Sequence, residues 1–207
     1  MGNTFTLKLR KFVATLSLTT LLASMLVVPQ ASGANLDEAP SWARNAVEEL
    51  ADLSQSSLRL NDATDKCEFS KMLTVAFGLE EETLDPFTFT DVPEWAKGYV
   101  GAMVNNEIAK GDSATKFGCG APMSRAVQVK MIVNALGLEE GTLDSKYDSE
   151  FAGVEWAKGA FAAALTEGIV KGDDSTGALR PAANANRAES FVLAYRAMGG
   201  DESEGEE

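Results

Sequence analysis

The sequence contains no histidine. That removes the commonest general base near neutral pH and the commonest zinc ligand. There are only two cysteines, Cys67 and Cys119, too few for a metal site by themselves. In an oxidising compartment they could pair; the alternative is two buried free thiols. Positive charge is scarce: 18 Lys and Arg stand against 31 Asp and Glu, for a net charge of −13. This excludes general electrostatic attraction to nucleic acid, anionic lipid or an anionic wall polymer. An anionic partner must be caught by a few local cations against the average field. No nucleophile elbow, phosphate-binding loop or zinc signature occurs. The acids sit in caps, linkers and the tail, not as the paired carboxyls across a cleft that a glycan hydrolase needs. No enzyme activity, metal site or cofactor is expected.

Long hydrophobic runs are lacking too, with one exception. Phe12–Val28 is apolar, follows the basic residues Lys8, Arg10 and Lys11, and leads into small residues at Ser32 and Ala34. The three-part pattern predicts a secretory leader over residues 1–34, cut near Ala34 or within Ala31–Gly33. The competing reading is a membrane anchor, the run being close to the lower limit of roughly 17 residues for a span. Small residues directly after the run favour cleavage, after which no membrane span remains. Without the leader's three cations the net charge of −13 becomes −16.

What is present is repetition. EWAKG occurs at Glu94–Gly98 and at Glu155–Gly159, with SWARN at Ser41–Asn45 as a looser echo. In that register Trp95 matches Trp156 and Gly111 matches Gly172, both offset by 61, while Arg125 matches Arg187 at an offset of 62. TDKCEFSKMLTVAFGLEEETLD (Thr64–Asp85) resembles MSRAVQVKMIVNALGLEEGTLD (Met123–Asp144), which places Lys66 at the arginine position. Three units follow, at 35–85, 86–147 and 148–200, with an acidic tail at 201–207 expected to be disordered. Each reads as helix–loop–helix. In the second unit Trp95, Tyr99, Val100, Met103 and Val104 mark one helical face. A loop with Gly111 and Asp112 closes that helix, Gly111 being expected to take the left-handed conformation. The second helix carries Val129, Ile132, Val133 and Leu136 and stops at Gly137. Units that cannot bury their own apolar faces must stack on one another.

The start of the second helix is the informative junction: DKCE (Asp65–Glu68), SRAV (Ser124–Val127) and NRAE (Asn186–Glu189). Asp65, Ser124 and Asn186 are expected N-caps, and Glu68 and Glu189 complete capping boxes. Lys66, Arg125 and Arg187 are not explained by capping. A cation in the first turn lies next to the positive end of the helix dipole, where acids are favoured by roughly 0.3–1 kcal/mol. It needs a partner, either an acid of the next unit or an external anion held together with the free N–H groups of the helix start.

With these motifs in order, the chain resembles the S-layer homology (SLH) family, whose pattern runs approximately F-x-D-V-x-x-W-A, G-I-V-x-G, T-R-A-E. The third unit offers F-A-G-V-E-W-A, G-I-V-K-G and N-R-A-E; the second offers F-T-D-V-P-E-W-A, E-I-A-K-G and S-R-A-V. The resemblance covers nearly the whole chain after the leader. It implies an all-α fold of three repeats in a pseudo-threefold array around a central helical bundle. It also implies non-covalent binding of an anionic, often pyruvylated, secondary cell-wall glycan in grooves between repeats, at the cell surface. By this likeness Arg125 and Arg187 meet the ligand carboxylate, with Lys66 as the weaker counterpart. Gly111, Gly172, Asp91, Trp95 and Trp156 shape the groove. A guanidinium can grip a ketal carboxylate with two parallel hydrogen bonds, which lysine cannot. Core packing is the favoured role for Trp95 and Trp156, with a platform for a sugar ring as the alternative.

The departures are specific. The first unit has no G-I-V-x-G, and its tryptophan-to-cation spacing is 24 rather than 30 or 31. Gly153 stands where the third unit should have an aspartate, and Val127 where the second should have a glutamate. One or two competent grooves are therefore expected, with the first unit mainly structural. Cys67 takes an alanine position, and Cys119 lies where the third unit has Pro181; a bond would tie the first two units. The competing function is a surface-layer assembly protein that binds other surface proteins rather than glycan.

Overall fold

The computed structural model describes residues 36–52 and 57–200. The expected leader (1–34) and tail (201–207) lie outside the described residues. Each tryptophan opens a first helix in the same way. Ser41–Ala43, Glu94–Ala96 and Glu155–Ala157 are single 3-10 turns. They run on into α1 (Arg44–Leu50), α3 (Lys97–Asn105) and α5 (Lys158–Thr166). The second helices are α2 (Lys66–Ala76), α4 (Arg125–Leu136) and α6 (Arg187–Ala197). Among the described residues regular structure is helical, with isolated β-bridges and no strand. The all-α expectation is met.

α4 stops at Gly137, whose φ of +59° is left-handed. The left-handed residues after α3 and α5 are Glu107 (φ +57°) and Gly168 (φ +72°). They correspond to each other in the repeat, and they correct the expectation for Gly111. Gly111 and Gly172 are needed for room instead. A Cβ on Gly111 would enter the Phe89 ring and the Ser113 carbonyl, and one on Gly172 the backbone of Gly177.

The packing unit is out of phase with the sequence repeat. α2 packs on α3, α4 on α5, and α6 on α1, so each second helix pairs with the first helix of the following unit and the last pair closes the chain. The linkers Leu79–Asp85 and Leu138–Asp144 cross the start of the helix they lead to. Glu82 N–H donates to Gly98 O (3.0 Å) and Gly141 N–H to Gly159 O (3.1 Å). A Cβ on Gly98 or Gly159 would collide with the side chain of Glu81 or Glu140. The glycine of EWAKG is therefore a crossing point. α6 also packs on α2 and α4, over a core that includes Phe69, Leu73, Met103, Phe117, Ile132, Phe161 and Leu193.

Three short segments ahead of the second helices meet in a closed ring. Thr64 N–H donates to Ala185 O (3.1 Å), Ala185 N–H to Met123 O (3.4 Å), and Met123 N–H to Thr64 O (2.9 Å). The bridges Ala63–Asn186, Asp65–Pro122 and Ser124–Asn184 repeat the same geometry. Behind the ring Ser190 Oγ is linked to Thr64 Oγ1 (2.8 Å) and Gln128 Nε2 (2.9 Å).

Two helix starts follow expectation: Asp65 and Asn186 form capping boxes with Glu68 and Glu189. Ser124 makes no side-chain cap. The helix start beside it is satisfied from elsewhere, because Arg125 N–H donates to Ala183 O and Ala126 N–H to Pro181 O, both at 2.9 Å. Arg187 N–H and Ala188 N–H likewise reach Asp62 O (3.0 Å) and Leu60 O (3.1 Å). The free amides expected to help hold an anion are thus spent on neighbouring loops at α4 and α6. Cys67, in the first turn of α2, is bonded to Cys119 in the loop after α3, with Cα atoms 5.1 Å apart.

Candidate functional site

The tryptophans are not core. Trp42, Trp95 and Trp156 are 48%, 51% and 51% exposed, which corrects the packing role favoured for Trp95 and Trp156. The reason is the 3-10 turn that carries each: it buries its alanine (Ala43, Ala96, Ala157) and leaves the preceding ring outside.

Two grooves form beside these rings. The first, of about 530 Å³, joins Trp95 to Lys71, Met72 and Val75 of α2, with Arg59, Glu68 and Arg187 at its floor. The second, of about 260 Å³, joins Trp42 to Val192, Leu193 and Arg196 of α6, with Arg125, Arg180 and Glu189. These are corresponding sets, since Glu68, Lys71, Met72 and Val75 match Glu189, Val192, Leu193 and Arg196. Arg187 Nε donates to Leu58 O (3.0 Å) and Arg125 Nε to Leu179 O (3.2 Å), also corresponding contacts. The turn carrying Trp156 packs on α4 in the same manner.

Sequence reading missed three groove residues. Trp42 was signalled only by the SWARN echo. Arg59 and Arg180 were signalled by a shared Leu-Arg step, Leu58-Arg59 and Leu179-Arg180. Both arginines are left-handed, at φ +48° and +52°, a conformation costing an L-residue roughly 1–2 kcal/mol. Arg180 is held there by its N–H on Glu150 Oε2 (3.0 Å), and Leu179 N–H donates to the same oxygen (2.7 Å). Asp91 does this work in the second unit. Its carboxylate accepts from the N–H groups of Phe117 (2.9 Å), Gly118 (2.8 Å) and Cys119 (3.1 Å). Asp91 therefore shapes the loop and lines neither groove. Glu150, three residues before Gly153, supplies the carboxylate that Gly153 cannot. Gly172 lines the Trp42 groove; Gly111 packs under Phe89.

Lys66, Arg125 and Arg187 are all buried, at 7%, 8% and 9% exposure, and their partners differ. Lys66 Nζ reaches Asp112 (2.7 Å), the Lys110 carbonyl (2.9 Å) and the face of Phe117. This is the internal bridge to an acid of the next unit. Arg187 meets Glu68 Oε1 at 3.1 Å, an oxygen that Arg59 also binds. For Arg125 no carboxylate lies within ion-pair distance among the described residues. Its counterpart glutamate, Glu189, is taken by Arg180 (2.6 Å) and the Asn186 N–H (3.0 Å). Asp173, the counterpart of Asp112, is turned aside onto the N–H and hydroxyl groups of Ser175 and Thr176. The hydroxyls lead in holding its carboxyl down to about 2. Burial pulls the Arg125 guanidinium below its ordinary value, Glu189 opposing and Arg180 and Arg196 adding to the fall. For Arg187 burial acts the same way and Glu68 opposes it.

Among the described residues no helix is long and apolar enough to cross a membrane, and no group of three or more His, Cys, Asp or Glu could hold a metal ion.

The family model of the S-layer homology domain matches residues 88–126 and 152–189. Each match runs from the segment before the tryptophan to the start of the second helix. The Surface-layer 125 kDa protein of Lysinibacillus sphaericus is 30% identical over 205 residues, covering 91% of this chain and 17% of that protein. An Endoglucanase of Bacillus sp. (strain KSM-635) is 30% identical over 119 residues, 56% of this chain and 12% of the enzyme. The chain spans less than a fifth of the length of either relative. It carries two stretches that match the S-layer homology domain, within a sequence similar over most of its length to a surface-layer protein.

Proposed function

We propose that the chain is a secreted, non-covalent cell-wall attachment module that recognises an anionic, pyruvylated secondary wall glycan in its inter-repeat grooves. The observation that carries this reading is a buried guanidinium facing a half-exposed tryptophan in each of two grooves. A planar fork suits a ketal carboxylate, and a tryptophan face covers the apolar side of a sugar. Two arginine-lined pockets in a strongly acidic protein are the local capture that its overall charge requires. In the relatives the matched part is a small fraction of a longer protein, as suits an attachment module. No catalytic step is assigned. The leader over residues 1–34 would supply export, and the bacterial cell surface is the proposed location.

The same reading takes residues 35–85 as a third, divergent repeat beside 86–147 and 148–200. It places the three about a pseudo-threefold axis through the Thr64–Met123–Ala185 ring, the cyclic hydrogen bonds being the support. Purified protein should sediment with wall sacculi that retain their polymer and not after the polymer is removed. Arg125→Ala with Arg187→Ala should abolish sedimentation while circular dichroism stays unchanged. The competing reading is surface-layer assembly through protein contacts, favoured by Lys66, whose position is filled by Asp112. There the double variant would still localise to the surface, and free wall polymer would not compete.

A further inference from the structure

The three buried cations occupy one repeat position, yet among the described residues Arg125 is the one of the three without a carboxylate at ion-pair distance. Three local facts decide this. The Asp112 carboxylate closes on Lys66 at 2.7 Å. Glu68 lies between Arg59 and Arg187 and acts as an internal anion for the Trp95 groove. Three acids line the Trp42 groove: Glu189 is engaged by Arg180 and the Asn186 N–H, Asp173 by Ser175 and Thr176, and Asp174 makes no ion pair with Arg125 among the described residues. A guanidinium this buried is costly unless paired. It lines a groove with Arg180, Arg196, Lys171 and the Trp42 ring.

We propose that the Trp42 groove is the single site that takes a carboxylate-bearing sugar, and that Glu68 is the residue that keeps the Trp95 groove from doing so. This rests on the wall-glycan reading and deepens it: one ligand per chain, with Arg125 as the grip and Arg180 as the second cation. Binding in the Trp95 groove would require the ligand to displace Glu68 from two arginines at once. Glutamine at that position can keep the capping box but removes the competing charge.

The chain has 3 tryptophans, one on the 3-10 turn that opens each of the three first helices, so fluorescence reports each place separately. The probe is a methyl glucopyranoside carrying a 4,6-pyruvate ketal, with its methyl ester as the uncharged control. Three single-tryptophan forms of the chain are made by Trp→Phe changes at the other two positions. The Trp42 form should titrate saturably with the acid and not with the ester; the Trp95 and Trp156 forms should not respond. Arg125→Ala should weaken binding at least roughly tenfold, the range for a lost hydrogen bond to a charged group. Glu68→Gln should create a saturable response in the Trp95 form, a gain that misfolding cannot mimic. A parent response at Trp95, or no gain from Glu68→Gln, overturns the proposal. If sacculi sediment the protein but Trp42 is silent, this proposal fails while the attachment reading stands. If sacculi do not sediment it either, both fail.

Discussion

Removing the disulfide should cost this protein a large share of its stability. Cys67 and Cys119 are separated by 52 residues. By the chain-entropy relation a loop of that length is worth about 4 kcal/mol at 25 °C. The perturbation is Cys67→Ala with Cys119→Ala. Alanine is the fold's own choice at the first position, since Ala126 and Ala188 occupy it in the other two units and are buried. Loss of packing at Cys67 should therefore be small, and most of the effect should come from the restored freedom of the unfolded chain. For a domain of this size 1 kcal/mol moves the melting temperature by about 2–4 °C. The double variant should thus melt about 8–16 °C below the oxidised parent. Thermal melts followed by circular dichroism measure this, with thiol blocking and a gel run with and without reductant to establish the bond. Reduced parent should melt near the variant. Coincidence of oxidised parent and variant within about 2 °C would refute the reasoning, because the loop would then be ordered by Asp91 and Lys66 alone.

Gly101→Ala would drive a methyl into the Glu82 carbonyl; urea denaturation should show a loss of about 2–3 kcal/mol, as for an overpacked core. Asp91 titrates below its ordinary 3.8: burial raises it, and the N–H groups of Phe117, Gly118 and Cys119 more than offset that. Its contribution is therefore complete above the unfolded value and disappears as pH falls through the lower folded one. Asp91→Asn should flatten the acid side of a stability–pH curve in that window, and an unchanged curve would sink the assignment. Each tryptophan should emit as a water-exposed indole and be quenched by acrylamide in its single-tryptophan form; one protected ring would contradict the groove geometry. Deleting residues 36–52 should strip α6 of its partner α1 and remove the buried Ala39, Ala43, Ala46 and Val47 from the core, costing about 5 kcal/mol at roughly 0.8 kcal/mol per buried carbon, read by urea denaturation.

Helices were legible because their signals are local. The tryptophan turns, the capping boxes at Asp65 and Asn186, and the stop at Gly137 are set by residues a few positions apart. The buried cations could also be found, because a cation in a first helical turn opposes the dipole. Their partners were not legible. Whether Lys66 meets Asp112 depends on a loop 46 residues away, and whether Arg125 meets Asp173 depends on Ser175 and Thr176 drawing that carboxylate aside. Exposure of the tryptophans was misjudged for a related reason: helical periodicity places Trp95 on the face of Tyr99 and Met103, but the 3-10 turn shifts its phase. Ser124 looked like a cap, and its helix start is instead satisfied by carbonyls of a distant loop. Glu150 replaced Asp91's function from three positions off register, which alignment by motif does not detect.

The repeats cannot be judged one at a time. The Trp42 groove takes its tryptophan from the first unit, its buried arginine from the second and the Arg180–Glu189 pair from the third. The Trp95 groove takes its tryptophan from the second, Arg187 from the third and Arg59–Glu68 from the first. Each groove thus draws one part from every unit, because second helices pair with the first helices of the following unit and the ring of Thr64, Met123 and Ala185 closes the cycle. A unit that departs from the family pattern still supplies a wall to one groove and a floor to another. The family match covers two stretches, but a count of matching repeats is not a count of grooves. The first unit lacks the glycine loop, and in the Trp95 groove it is Glu68 that meets Arg187. The third unit keeps the loop, and Ser175 and Thr176 within it free Arg125. The same cation position is structural in one place, self-occupied in a second and, among the described residues, without a carboxylate partner in the third, through loop chemistry contributed by a neighbour.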